Sequence, residues 1–197
     1  MPEFNELAEQ CARAADIDHD IYAETRTKKN FEWDGTTLKS IRTDHDGGAG
    51  LRTLGENRSG FAYSNLAAVD AEWLLDQARA NRELLPSDSD QELTDAEPSA
   101  EIETEWFDAN VRTDVADRKN QVADVVSETM DREEDLRNLQ VEYQEIDTRF
   151  ELYRDGDFRA GERRTRFSLS AWAVCEGESD VQSGFQQQTS YQHEDLK

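Results

Sequence analysis

Gly50-Leu51-Arg52-Thr53-Leu54-Gly55-Glu56-Asn57-Arg58-Ser59-Gly60-Phe61-Ala62-Tyr63-Ser64 reads as two strands folded back on each other. Gly50 to Leu54 and Gly60 to Ser64 flank Gly55-Glu56-Asn57-Arg58-Ser59, a segment of the residue types that permit a turn. Asp70 then starts a helix on which Ala71, Leu74, Leu75 and Ala78 share one stripe, wide enough to cover one face of a sheet. Pro86 marks its latest end. A hairpin followed by a covering helix is the signature of an antiparallel α+β arrangement.

The residues before the hairpin extend the same pattern. Asn5 is placed to cap a short helix with Leu7, Cys11, Ala14 and Ala15 at helical spacing. Asp16 to Asp20 reads as a polar break, and Ile21 to Thr27 as a strand. Phe31-Glu32-Trp33 and Leu38 to Ile41 flank Asp34-Gly35, a second turn between strands. After the helix the composition shifts. Residues 86–105 hold eight acidic side chains and no basic one, which reads as a solvated linker between a domain at 1–85 and a second at 106–197. Trp106-Phe107 docks its far end. Asp114 caps a long helix with a stripe of Val115, Val122, Val125, Val126, Thr129 and Met130. The period then changes to two, through Leu139, Val141 and Tyr143, then Thr148, Phe150 and Leu152, then Phe167 to Cys175. Asp155-Gly156 and Glu176-Gly177 supply turns, and a polar last strand spans Val181 to Tyr191. The second domain is thus a helix plus an antiparallel meander.

Charge bounds the function. The 197 residues carry 45 Asp plus Glu against 22 Lys plus Arg, a formal charge of -23. Such a field repels nucleic acid, whose binding requires neutralising phosphates. Acidic residues spread over the whole chain, with few lysines, are expected of a halophilic protein kept hydrated at high salt. No apolar run approaches the length of a bilayer span, and Met1 to Glu6 lacks the pattern of a signal peptide, so a soluble, cytoplasmic protein without membrane contact is expected. Cys11 and Cys175 stand alone and read as free thiols.

The candidate chemistry is thin. His45 lies between Asp44 and Asp46, but adjacent strand residues point to opposite faces and do not converge on one ion, so an acidic loop is expected. His19 reads as exposed loop. His193-Glu194 is followed only by Asp195, Leu196 and Lys197, so a zinc-binding helix motif cannot be completed. Gly47-Gly48-Ala49-Gly50 precedes a strand rather than a helix, which argues for close backbone approach over phosphate binding. Arg163, Arg164 and Arg166 are expected to pair with neighbouring acidic strands. Asn57-Arg58-Ser59 is an isolated glycosylation tripeptide, and Trp33, Trp73 and Trp172 read as core. No catalytic, cofactor-binding or metal-ligating residue is assigned.

Ile21 to Arg26, Trp33-Asp34-Gly35, Asp46-Gly47-Gly48-Ala49-Gly50-Leu51-Arg52 and Ser59 to Ser64, followed by the helix from Asp70, resemble in order and spacing the opening domain of the TldD/PmbA family. Gly60-Phe61-Ala62-Tyr63 looks more like the TldD branch. Residues 138–190 are more loosely similar to the family's middle domain, departing from it at Tyr153-Arg154-Asp155-Gly156. The resemblance implies a zinc metallopeptidase of unfolded peptides, built from paired TldD-type and PmbA-type subunits, in an older label a modulator of DNA gyrase. Its zinc site is a His-Glu-x-x-x-His motif in a carboxy-terminal domain to which nothing here corresponds. The chain is therefore expected to be the non-catalytic amino-terminal portion of such a peptidase, serving substrate admission and subunit assembly as a homo- or heterodimer. Zinc is expected only in the domain outside it. The alternative is a non-catalytic interaction module, either a PmbA-type partner or a free-standing adaptor.

Overall fold

The structure, a computed structural model, describes residues 2–14, 17–65, 70–86, 102–103, 105–132, 135–177 and 180–196. In chain order the elements are α1 (Pro2–Ala14), β1 (Asp18–Asp34), β2 (Thr37–Gly55), β3 (Arg58–Asn65), α2 (Ala71–Leu84), β4 (Ile102–Glu103), α3 (Val115–Arg132), β5 (Leu136–Arg154), β6 (Asp157–Glu176) and β7 (Val181–Ser190). Short 3-10 turns span Ala109–Arg112 and His193–Asp195. Helices combined with a mainly antiparallel sheet make this an α+β fold.

Two compact units are present, and they do not follow one another along the chain. The first comprises Met1–Arg26, Asp46–Glu103 and Thr148–Arg163; the second comprises Thr27–His45, Thr104–Asp147 and Arg164–Lys197. Composition marks the passage at Glu103/Thr104. It leaves no trace at the other four passages, because β1, β2, β5 and β6 are single long strands that serve both units. Most of the expected linker lies outside the described residues; Ile102–Glu103, at its far end, forms a short strand parallel to Glu162 and Arg163.

In the first unit the strand order is β3-β2-β1-β5-β6-β4. Glu56 and Asn57 both adopt left-handed backbone (φ 53 and 57), so the loop between β2 and β3 is a two-residue turn whose hand suits the strand twist. It is tighter than the five-residue turn expected. Pairing runs from Gly55 opposite Arg58 to Gly48 opposite Asn65. Asp70 caps α2 through a 2.8 Å bond from Trp73 N, and Ala71, Leu74, Leu75 and Ala78 are buried as the stripe predicts. They share a core with Leu51, Ala62 and Ile21, and with α1. α1 starts before Asn5, which is an interior residue rather than a cap, and it buries Phe4, Leu7, Ala8 and Cys11 while Ala14 is exposed. On β5 the buried positions in this unit are Glu151 and Tyr153, the parity opposite to the expected Phe150 and Leu152.

In the second unit the order is β2-β1-β5-β6-β7, with β7 antiparallel to β6. β1 and β5 are antiparallel here, since Gly35 N at the end of β1 donates to Leu139 O near the start of β5 (2.7 Å). The Phe31 and Tyr143 rings meet at 5.9 Å, and Lys29 reaches Glu145. α3 packs Val122 and Val126 against Phe31, Trp33, Leu139, Val141 and Phe167. Asp114 caps it, its carboxylate accepting from Ala116 N at 2.8 Å. Val125, assigned to the stripe, is exposed. The opposite face of the sheet presents Glu32, Gln140, Glu142, Trp172 and Phe185 to solvent.

Candidate functional site

The second unit holds a buried polar cluster built from positions the hydrophobic pattern marks as inward. Arg118 lies three residues after Val115 and four before Val122, on the buried stripe of α3. Glu145 is the next inward position of β5 after Leu139, Val141 and Tyr143. The two are 1% and 0% exposed and form an ion pair through Arg118 Nε and Glu145 Oε1. Burying charge without partners is costly, and here partners are supplied on all sides. Tyr143 OH donates to Glu145 Oε1 at 3.0 Å, and Lys29 Nζ lies 3.2 Å from Glu145 Oε2. Lys29 also donates to the carbonyls of Val111 and Thr113, both at 3.0 Å. Arg118 donates to Gln121 Oε1 (2.6 Å) and Asn110 O (2.8 Å), and its guanidinium lies over the Tyr143 ring. Burial, reinforced by Glu145, pushes the Tyr143 hydroxyl far above its ordinary pKa, so it remains a donor.

His193 completes the cluster. Its Nε2 lies 2.6 Å from Arg118 Nη1, and a guanidinium has only hydrogens to offer. Nε2 is therefore the acceptor, and the proton of the neutral ring sits on Nδ1. Burial, then the Arg118 charge, lower the His193 pKa from the ordinary 6.5. The ring packs edge-on to Phe167 (5.4 Å) and Tyr143 (6.1 Å), and its backbone N donates to Asp108 Oδ2 at 2.7 Å. His193 thus ties the segment after β7 to the 3-10 turn before α3; the expectation that it is incidental is corrected.

A pH effect follows. In the unfolded chain His193 takes up a proton near pH 6.5, whereas in the folded chain it stays neutral to a lower pH. Its contribution to stability is complete above 6.5 and is lost as pH falls from 6.5 through the folded value. His193→Gln, whose side-chain oxygen can still accept from Arg118, is expected to flatten that part of the stability profile. Identical slopes for both chains in urea titrations below pH 6.5 would refute the assignment.

The outward face of the same sheet forms an open cleft of about 440 Å³, lined by Glu32, Lys39, Glu142, Ser170, Trp172 and Phe185 among others. Lys39 is paired with Asp34 (3.3 Å), and Glu32 accepts from Asn30 and Ser40, each at 3.0 Å. Trp172 and Phe185 face each other across β6 and β7, ring centroids 6.4 Å apart. At 48% exposed Trp172 is not core, and neither is Trp73 at 47%; only Trp33 is buried.

The other sequence candidates lie apart from this cleft. His45 stands on β2, not in a loop, with Nδ1 3.1 Å from Thr27 Oγ1. His19 is buried on β1 rather than exposed, its Nδ1 3.3 Å from Ile17 O and 3.5 Å from Asp155 Oδ1. Among the described residues no three His, Cys, Asp or Glu side chains converge as metal ligands. Gly48 and Gly50 lie in β2 directly beneath the rings of Tyr63 and Phe61, which a Cβ at either would strike. They serve close approach. Arg164 lies over the Trp106 ring (4.9 Å). Cys11 and Cys175 are free, and burial pushes the Cys11 thiol up to about 12, which keeps it unreactive. Among the described residues no helix is long and apolar enough to cross a membrane. The ion cluster had a sequence signal, Arg118 and Glu145 at inward periodic positions, but a stripe drawn only through apolar residues passes over it.

Residues 19–82, from β1 through most of α2, match the model of PmbA/TldA metallopeptidase domain 1. The matched segment is similar to the opening domain of the TldD/PmbA family. The fold extends the likeness beyond the matched region. A proposed modulator of a DNA gyrase from Thermotoga maritima MSB8 superposes with a TM-score of 0.74 at 14% identity, over 100% of this chain and 44% of its own. A proposed modulator of DNA gyrase from Bacteroides thetaiotaomicron VPI-5482 gives 0.68 at 17%, over 98% and 46%. TldE from Thermococcus kodakarensis gives 0.71 at 11%, over 96% and 43%. The chain therefore spans less than half the length of these structures. No curated protein matches it at a significant level.

Proposed function

We propose that the chain is the non-catalytic amino-terminal portion of a TldD/PmbA-type zinc metallopeptidase, and that it serves substrate admission and subunit assembly while residues outside it cleave the peptide bond. The match of residues 19–82 to the first domain of such peptidases carries this reading. The placement of the histidines supports it. The Nε2 of His193 is taken by Arg118, His19 is buried against Asp155, and His45 sits beside Thr27 on β2. A hydrolytic metal site needs about three such donors and an open position.

In this reading the zinc belongs to a carboxy-terminal domain, the partner is a TldD- or PmbA-type subunit, and the substrate is an unfolded peptide in a cytoplasm rich in salt. Gyrase modulation, the description given to two of the similar structures, has no support as direct DNA contact in a chain of charge -23.

The test is peptide hydrolysis. The 197-residue chain, given zinc and an unfolded peptide, is expected to show the buffer rate, unchanged by a chelator. The same residues within a full-length TldD-type protein are expected to support chelator-sensitive cleavage. Chelator-sensitive hydrolysis by the chain alone would overturn the reading.

A further inference from the structure

The cleft on the outward face of the second unit brings together two kinds of group that attract the same partner. Trp172 on β6 and Phe185 on β7 form its aromatic side, both rings exposed and their planes inclined at 46°. Glu142 on β5 and Glu32 on β1 form its acidic side. Glu32 is held in place by Asn30 Nδ2 and Ser40 Oγ, which donate to its carboxylate, and Asn30 is itself buried. Both donors are neutral, so they orient the charge without cancelling it. Lys39 also lines the cleft, but it is taken by Asp34. Among the described residues neither Glu32 nor Glu142 is in an ion pair. Neighbouring strands lie about 4.8 Å apart, so a group resting on Trp172 is one strand from Glu142 and two from Glu32.

We propose that this cleft binds an arginine side chain of an unfolded peptide, the guanidinium lying on the Trp172 ring with its edge toward Glu142 and the aliphatic stem against Phe185. Chemistry chooses the occupant. Aromatic faces attract a cation through their quadrupole, and unpaired carboxylates attract it through their charge. A guanidinium is flat, forked and weakly hydrated, so it stacks on an indole and pairs with a carboxylate at the same time. An ammonium is a strongly hydrated point charge and does both less well. An anion would face two carboxylates.

The surroundings suit a side chain carried on an extended backbone. At about 440 Å³ the cleft has room for one long side chain and the backbone next to it. Beyond Glu142 and Ser170 a smaller pocket of about 140 Å³ continues along β6, with Gln144, Ser168, Gln187 and Thr189 in its lining. Amides and hydroxyls of this kind both donate and accept, so they can pair a peptide backbone whatever its side chains. Arg166 also lines the smaller pocket. It stands six residues along β6 from Trp172, about 20 Å at strand rise, and leaves the guanidinium position open. The peptide in this assignment rests on the substrate-admission reading above, whereas the guanidinium rests on the residues of the cleft alone.

The test is fluorescence anisotropy with a labelled Gly/Ser peptide carrying one arginine, in about 1 M KCl so that screening to about 3 Å removes the pull of the general negative charge. Saturable binding to the 197-residue chain is expected. The same peptide with citrulline, the neutral isostere, should bind about tenfold more weakly, and the lysine peptide should fall between the two. Trp172→Ala and Glu142→Gln are each expected to weaken arginine binding about threefold or more, while Trp172→Phe, which keeps a ring, retains part of it. Both residues are exposed, so the variants should keep their circular dichroism. Glu56→Gln, on the exposed turn of the first unit, is the control and should change nothing. An arginine peptide that binds no tighter than its citrulline or lysine counterpart overturns the proposal. So does indifference to Trp172→Ala and Glu142→Gln, or an equal loss in Glu56→Gln. Chelator-sensitive hydrolysis by the chain alone would instead sink the non-catalytic reading and leave the guanidinium site standing.

Discussion

Glu145→Leu is expected to destabilise the second unit by about 3–5 kcal/mol, the usual cost of leaving a buried charge without its partner. Glu145 is the only carboxylate among the partners described for Arg118 and Lys29. Without it Arg118, 1% exposed, keeps Gln121, Asn110 O and His193, all neutral, and its charge stays in the core beside Phe167 and Tyr143. The hydroxyl of Tyr143 loses its acceptor as well. Replacing both members, Arg118→Met with Glu145→Leu, is expected to cost less than Glu145→Leu alone, because a matched apolar pair removes the desolvation problem rather than halving it. Denaturant unfolding monitored by hydrogen exchange in α3 isolates the unit from the rest of the chain, which need not unfold in one step. A loss below about 1 kcal/mol for Glu145→Leu would mean that water or Lys29 relieves Arg118 without it, and the cluster would not be a structural anchor.

Gly60→Ala should cost the first unit about 1–3 kcal/mol, at the upper end of what a single added methyl does in a packed interior. A Cβ at Gly60 would overlap the carbonyl oxygen of Ala78 and the backbone nitrogen of Arg82 on α2. Those atoms are helix backbone, not the flexible end of a side chain, so the helix has to move off the sheet. Leu74, Leu75 and Ala78 would lose contact with Leu51 and Ala62 as it does. Gly184→Ala serves as the control: a Cβ there meets nothing within 4 Å. Thermal melts that place Gly60→Ala and Gly184→Ala together would contradict the close helix–strand contact.

The accuracy of the local reading differed along the chain for physical reasons. α2 was legible because its cap, Asp70, and its stripe are determined within fifteen residues, and tertiary packing agreed with both. The Asp34-Gly35 and Asp155-Gly156 turns were legible for the same reason, their left-handed residues being chosen locally. Asp44-His45-Asp46 was not, because a polar, charged segment reads as loop until a neighbouring strand completes its ladder; here it is the middle of β2. His19 carries the same lesson. Its polar surroundings suggested exposure, while pairing within the sheet buries it. On β5 the inward parity at Leu139, Val141 and Tyr143 was read correctly in the second unit, without its continuation to Glu145, and incorrectly at Thr148 to Leu152, in the first unit, where Glu151 and Tyr153 turn inward.

By itself the sequence determined the α+β class, the hairpins and their covering helix, the charge that excludes phosphate backbones, and the family resemblance of the opening domain. Each depends on residues close together or on composition, and neither needs a partner to be known. Tertiary structure alone decided that Arg118, Glu145, Lys29 and His193 form one buried cluster and that four long strands serve two units. These depend on which distant segments pair: Lys29, Arg118, Glu145 and His193 are brought within bonding distance only once β1, α3 and β5 have taken their places.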